Sequence, residues 1–171
     1  MKKRNIIICI ISIIILILVM VSLTIIIKKN ISKNKINYIS DTLETNFENC
    51  IIEYDEDTHG GFLGDGDYFA KIICTEDVNG KIQSNWNKLP LPEEIQVVMN
   101  MIQCNKDGCY SIYDQYNIPR TENGYYYFYD RHSDSTDRTN SADLNNRSSY
   151  NFSIGIYDSQ NKILYYYELD T

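Results

Sequence analysis

The sequence predicts an α+β protein: an N-terminal transmembrane helix, then one domain in which an antiparallel sheet carries about two helices on one face. Three observations predict it. Residues 6–27 read IIICIISIIILILVMVSLTIII, an apolar run of 22 residues without a charge. Two later segments repeat apolar residues every three or four positions, the period of a helix face. Much of the C-terminal half instead alternates, with Phe152, Ile154 and Ile156 set against Ser153, Gly155 and Tyr157, the period of a strand.

As a helix the apolar run measures about 33 Å, enough for a hydrocarbon core of about 30 Å. A cleaved signal peptide would follow a shorter apolar region with an A-x-A-like site, and VSLTIIIKKN has none. Residues 6–27 are therefore expected to stay as a signal-anchor at the cell membrane, between a basic tail (1–5) and a basic stem (28–35). KKR precedes the span and KKNISKNK follows it, so the positive-inside bias favours neither orientation. A tail this short is ordinarily left inside, which places the C-terminal domain on the extracytoplasmic side.

Residues 36–171 have the length of one domain. This part holds nine basic and all 23 acidic residues, a balance of −14. Such a surface repels phosphate, so nucleic acid is excluded as a partner. The stem, in contrast, suits anionic lipid headgroups.

Along this domain, Ile36, Ile39, Leu43 and Phe47 mark one face of a short amphipathic helix, with Asp41 and Glu44 spaced like a capping box. CIIEY and YFAKIICTE read as strands on either side of a glycine- and aspartate-rich loop. In LPLPEEIQVVMNMI, Pro92 suits a first helical position, Glu93 and Glu94 its positive end, and Ile95, Val98, Met99 and Ile102 its buried stripe. Trp86 is expected beneath the start of that helix. GYYYFYD follows an Asn-Gly turn signal, and residues 150–169 form a hairpin at the sheet centre. Between them RHSDSTDRTNSADLNNRSS carries a single leucine and is expected to be mobile.

The chemistry-bearing candidate is the loop DEDTHGGFLGDGD, residues 55–67. Asp55, Asp57, Asp65 and Asp67 are hard oxygen ligands, which admits a non-EF calcium loop; no cofactor is predicted. The EF-hand template fails, because counting from Asp55 its fifth position is His59 and its twelfth is Gly66 instead of a bidentate glutamate. Five carboxylates and the lack of a Gly-Lys-Ser/Thr ending exclude a phosphate cradle. The plain alternative is a shaped surface loop with Phe62 and Leu63 turned to the core. His59 and His132 would make a metal-assisted hydrolase if they met with aspartates beside them. No G-x-S-x-G or H-E-x-x-H motif supports an enzyme.

CNKDGC sets Cys104 and Cys109 across a tight turn, within reach of a disulfide, and Cys50 and Cys74 are a second candidate pair across the first two strands. Either pairing requires an oxidising compartment. Tyr125, Tyr127 and Tyr129 share one side of a strand, and that row is either core or an aromatic platform for a glycan, peptide or protein.

Together DTHGGFLGDGDYF, NWNKLPLPE, GYYYFYDRHSDSTD and FSIGIYDSQNKILYYYELD resemble a set of small membrane-anchored proteins of Gram-positive bacteria with no assigned activity. The resemblance covers most of residues 50–171 and implies one coherent domain, without a catalytic residue. The favoured expectation is a non-enzymatic, membrane-anchored domain that binds a protein or cell-wall polymer. The alternative is the hydrolase using His59, His132 and nearby aspartates.

Overall fold

The computed structural model describes residues 2–60, 64–75, 78–82, 85–105, 108–133 and 135–171. It separates into two units, Met1–Lys35 and Ile36–Thr171. The N-terminal helix α1 (Lys2–Thr42) runs through the stretch read from sequence as a separate stem. No proline or glycine interrupts that stretch. Within residues 10–27 the large apolar side chains are 49–62% exposed. Ser22 donates to the Leu18 carbonyl at 2.8 Å and Thr24 to that of Val21 at 2.7 Å, so these hydroxyls are satisfied without water.

Asp41 and Glu44 do not start a helix; they end one. Glu44 takes a left-handed conformation (φ 50°). Its N–H bonds the Asp41 carbonyl at 3.3 Å, while the Thr45 N–H bonds that of Ser40 at 3.0 Å, the pattern of a Schellman cap.

Six antiparallel strands form the main sheet: β1 (Cys50–Asp57), β2 (Gly66–Cys74), β3 (Asn87–Lys88), β6 (Gly124–Asp130), β7 (Asn151–Asp158) and β8 (Ile163–Asp170). Their spatial order is β1-β2-β8-β7-β6-β3, so the β7–β8 hairpin is central. A second sheet is the hairpin β4 (Ile102–Asn105) and β5 (Gly108–Ser111). Short helices are α2 (Asn79–Ile82), α3 (Glu93–Met99) and α4 (Ile112–Gln115), with a 3-10 turn at Leu144–Asn146.

The α+β class holds, and its layering is fuller than helices on one face. Ile95, Val98 and Met99 of α3 and Ile112 of α4 pack with Phe69, Phe128, Phe152, Ile154 and Tyr167 on one side. Ile36, Ile39, Leu43 and Phe47, with Val78, Ile82 and Trp86, cover Ala70, Ile72, Tyr157, Leu164 and Tyr166 on the other. The cause is visible in β8: ILYYYEL is apolar on nearly every position, so both faces need a cover.

Three further expectations change. Ile102 leaves the α3 stripe for β4 and is exposed, because α3 stops at Met99, where Asn100 caps it. Trp86 is buried on the opposite face from α3, between Phe47 and Tyr127, its indole N–H donating to Thr45 at 3.0 Å. The polar segment after β6 is anchored at two points: Leu144 is 1% exposed in the core, and Arg147 reaches buried Asp130 at 2.6 Å. One leucine and one buried ion pair supply what its composition lacks.

Candidate functional site

The loop between β1 and β2 is closed by its own backbone. Thr58 N–H donates to the Asp67 carbonyl at 2.8 Å, and the Asp67 N–H returns a bond to the Thr58 hydroxyl at 2.8 Å. Gly66 is required by close approach: a Cβ there would lie 2.6 Å from the backbone N and Cα of His59. Gly61, Phe62 and Leu63 lie outside the described residues, and with them the expectation that Phe62 and Leu63 enter the core.

Asp67 is buried, which disfavours a carboxylate unless donors surround it. The Thr58 hydroxyl donates to it, as does Tyr116 at 2.7 Å, and Tyr167 stands at 3.4 Å. Burial, reinforced by the Asp67 charge, pushes both tyrosine hydroxyls well above their ordinary titration range, so they remain donors.

His59 is the centre of a longer array at the same end of the sheet. Its Nδ1 is 2.8 Å from Asp57 Oδ1, and its Nε2 is 3.0 Å from Asp170 Oδ2. Arg131 holds the other side of Asp170 at 2.9 Å and lies 3.8 Å from Glu168. Buried Glu168 accepts from Tyr166 at 2.6 Å, Tyr38 at 2.7 Å and Ser153 at 2.9 Å. With His59 protonated, negative and positive groups alternate from Asp57 through His59, Asp170 and Arg131 to Glu168.

A neutral imidazole has one N–H and one lone pair, so it satisfies only one of two flanking carboxylates; the imidazolium satisfies both. Partial burial of His59 pulls its pKa down, but hydrogen bonds to Asp57 and Asp170 outweigh that and raise it. With both ring nitrogens engaged, His59 presents no free lone pair to a substrate or a metal. The arrangement clips a loop to the end of β8.

No protein-family model, curated protein or solved structure matches the chain significantly.

Three of the four aspartates offered for calcium are divided between two faces of the sheet, and Asp65 lies in the loop between the strands. Asp55 and Asp57 pair in register with Ala70 and Tyr68 and share their face, whereas Asp67 turns to the opposite one with Phe69 and Tyr167. The Asp65 carbonyl accepts from Gly60 at 3.4 Å. Among the described residues, no group of three or more His, Cys, Asp or Glu side chains is placed to hold a metal ion. His132 follows β6 at the same sheet end as His59, but its Nε2 is 3.3 Å from Ser149 Oγ and its backbone N–H donates to Asp130 Oδ1 at 3.0 Å.

Tyr127 is buried beneath Trp86, with Tyr125 and Tyr129 packed around the same core, and the Arg138 guanidinium stacks over Tyr129 at 5.7 Å. That row is part of the core wall, so Tyr127 offers no open platform. Cys50 is bonded to Cys74 and Cys104 to Cys109, with Cα atoms 4.2 and 4.0 Å apart, each pair directly opposed in register.

The array around His59 includes Asp170, Arg131, Glu168 and Tyr38, which the sequence reading did not single out. One signal was present. Glu168 stands two positions from Tyr166 and four from Leu164, on a face that period-2 reading makes buried. A carboxylate there requires partners.

Proposed function

We propose that the chain is a single-pass membrane protein whose acidic domain, residues 36–171, stands on the extracytoplasmic side and works by binding a partner instead of by catalysis. The observation that carries this reading is the exposed apolar surface of residues 10–27, continuous along the helix among the described residues. An apolar surface of that length and continuity suits lipid and not water.

The two disulfides support the orientation. Cysteines paired across adjacent strands persist outside the reducing cytosol. The resemblance to membrane-anchored proteins of Gram-positive bacteria fits a cell-surface setting, where a protein or a wall polymer would be the partner. The engagement of both His59 nitrogens supports binding over acid–base catalysis.

The test is proteolysis of a C-terminally tagged protein on intact protoplasts, with a cytosolic protein as the lysis control. Digestion from outside, together with cysteines that resist alkylation until a reductant is added, is the expected result. Protection of the tag until lysis would reverse the orientation.

A further inference from the structure

We propose that the Cys104–Cys109 disulfide is a redox site, opened and closed by thiol–disulfide exchange with an external dithiol, whereas Cys50–Cys74 is a permanent brace. This goes beyond the binding reading. The two bonds sit in opposite surroundings. Cys50 and Cys74 are 7% and 2% exposed, within the core cluster of Phe47, Ile72 and Leu164. Cys104 and Cys109 are both exposed.

Strand alternation explains the difference. Along β4 the Gln103 side chain hydrogen-bonds buried Tyr167, so Ile102 and Cys104 turn the other way, and Ile102 is 66% exposed. Cys109 stands opposite Cys104 in register and shares that side. Exchange begins when a thiolate reaches one sulfur of the bond. A solvent-facing disulfide allows that approach and one in the core does not.

Opening this bond leaves the rest of the domain in place. β4 and β5 form a sheet of their own, apart from the six strands. The hairpin is held at its base: Met101 packs against the core, Ser111 and Ile112 are buried, and the Ser111 hydroxyl accepts from the Asp114 N–H at 3.1 Å. Cys104–Cys109 spans five positions against 24 for Cys50–Cys74, so its loss releases less chain entropy. It constrains the hairpin tip and not the fold.

The step balances with a dithiol as reductant. One donor thiolate attacks the Sγ of Cys104 or Cys109, the S–S bond breaks, and the other sulfur leaves as a thiolate. The donor's second thiolate then attacks the mixed disulfide. Two electrons pass to the hairpin, the donor becomes a disulfide, and its two protons end on Cys104 and Cys109.

The experiment uses the full, oxidised chain in detergent micelles with dithiothreitol as the dithiol, quenched at intervals with N-ethylmaleimide and mapped by peptide mass spectrometry. Cys104 and Cys109 should be alkylated together at least tenfold faster than Cys50 and Cys74, with an unchanged circular dichroism spectrum. Amide exchange should quicken over residues 102–105 and 108–111 and stay as it was over 151–158. Oxidised glutathione, added after the reductant is removed, should restore the bond. A C-x-x-C protein dithiol at equal thiol concentration distinguishes a protein donor from a small one by its rate, and exchange with either supports the site. One common rate for all four cysteines would overturn the proposal, as would a Cys104–Cys109 bond that opens only when the spectrum is lost. The chain carrying Cys104→Ser and Cys109→Ser should keep the same spectrum; its unfolding would make this bond a brace too and overturn the proposal. Topology is read on protoplasts and exchange in micelles, so either reading can fail alone.

Discussion

His59 Nε2 stands 3.0 Å from Asp170 Oδ2, so one side chain from the loop after the first strand fastens the end of the last. The bond joins residues 111 positions apart, and it is strongest when the imidazole is charged.

Stability should therefore depend on pH through this residue. A folded-state pKa raised above the unfolded value of about 6.5 means that the contribution is fully present below that value and is lost as pH rises through the folded one. Replacing His59 with Gln should cost about 1 kcal/mol near pH 5, the scale of a partly exposed charged pair. The difference should shrink towards pH 8. Urea denaturation of both proteins across that range checks it, and a pH-independent difference would remove the clip.

Gly155 should not tolerate a side chain. A Cβ there would lie 2.7 Å from Leu43 Cδ1 and 2.8 Å from the Trp86 ring. Gly155→Ala should cost about 1–3 kcal/mol, the scale of overpacking. In a double-mutant cycle, Leu43→Ala should relieve part of that cost; strict additivity of the two would mean that the contact is not the cause.

Asp130 and Arg147 form a buried ion pair at 2.6 Å, and removing one partner strands the other. Arg147→Met should cost about 3–5 kcal/mol. Adding Asp130→Asn should recover much of it, since the uncompensated charge is gone. Denaturation midpoints of the two variants decide this, and no recovery would assign the loss to packing around Arg147.

The fold was legible where one physical signal dominated. Residues 10–27 carry no charge and are almost all apolar, and Phe152, Ile154 and Ile156 alternate cleanly, so an anchor-like helix and a central strand follow directly. Where two signals competed, the tertiary one won. Ile102 continues a helical stripe, but the hairpin closed by Cys104 and Cys109 claims it as strand. Leu144 is a lone apolar residue among polar ones, and its burial depends on a gap that only the packed domain defines. The His59 array was hidden for a related reason: its members come from positions 38, 57, 59, 131, 168 and 170, and only strand order brings them to one end.

The position of β8 also constrains when the domain can assemble. It lies third in the sheet, bonded to β2 on one side and β7 on the other, yet the ribosome makes it after the other five strands. At about 5–20 residues per second, the earlier strands wait seconds for the one that joins β1–β2 to the rest. Until β8 is made, Asp170 is missing from His59 and Glu168 from Tyr38. The two halves of the sheet therefore become one layer only when the last strand is in place.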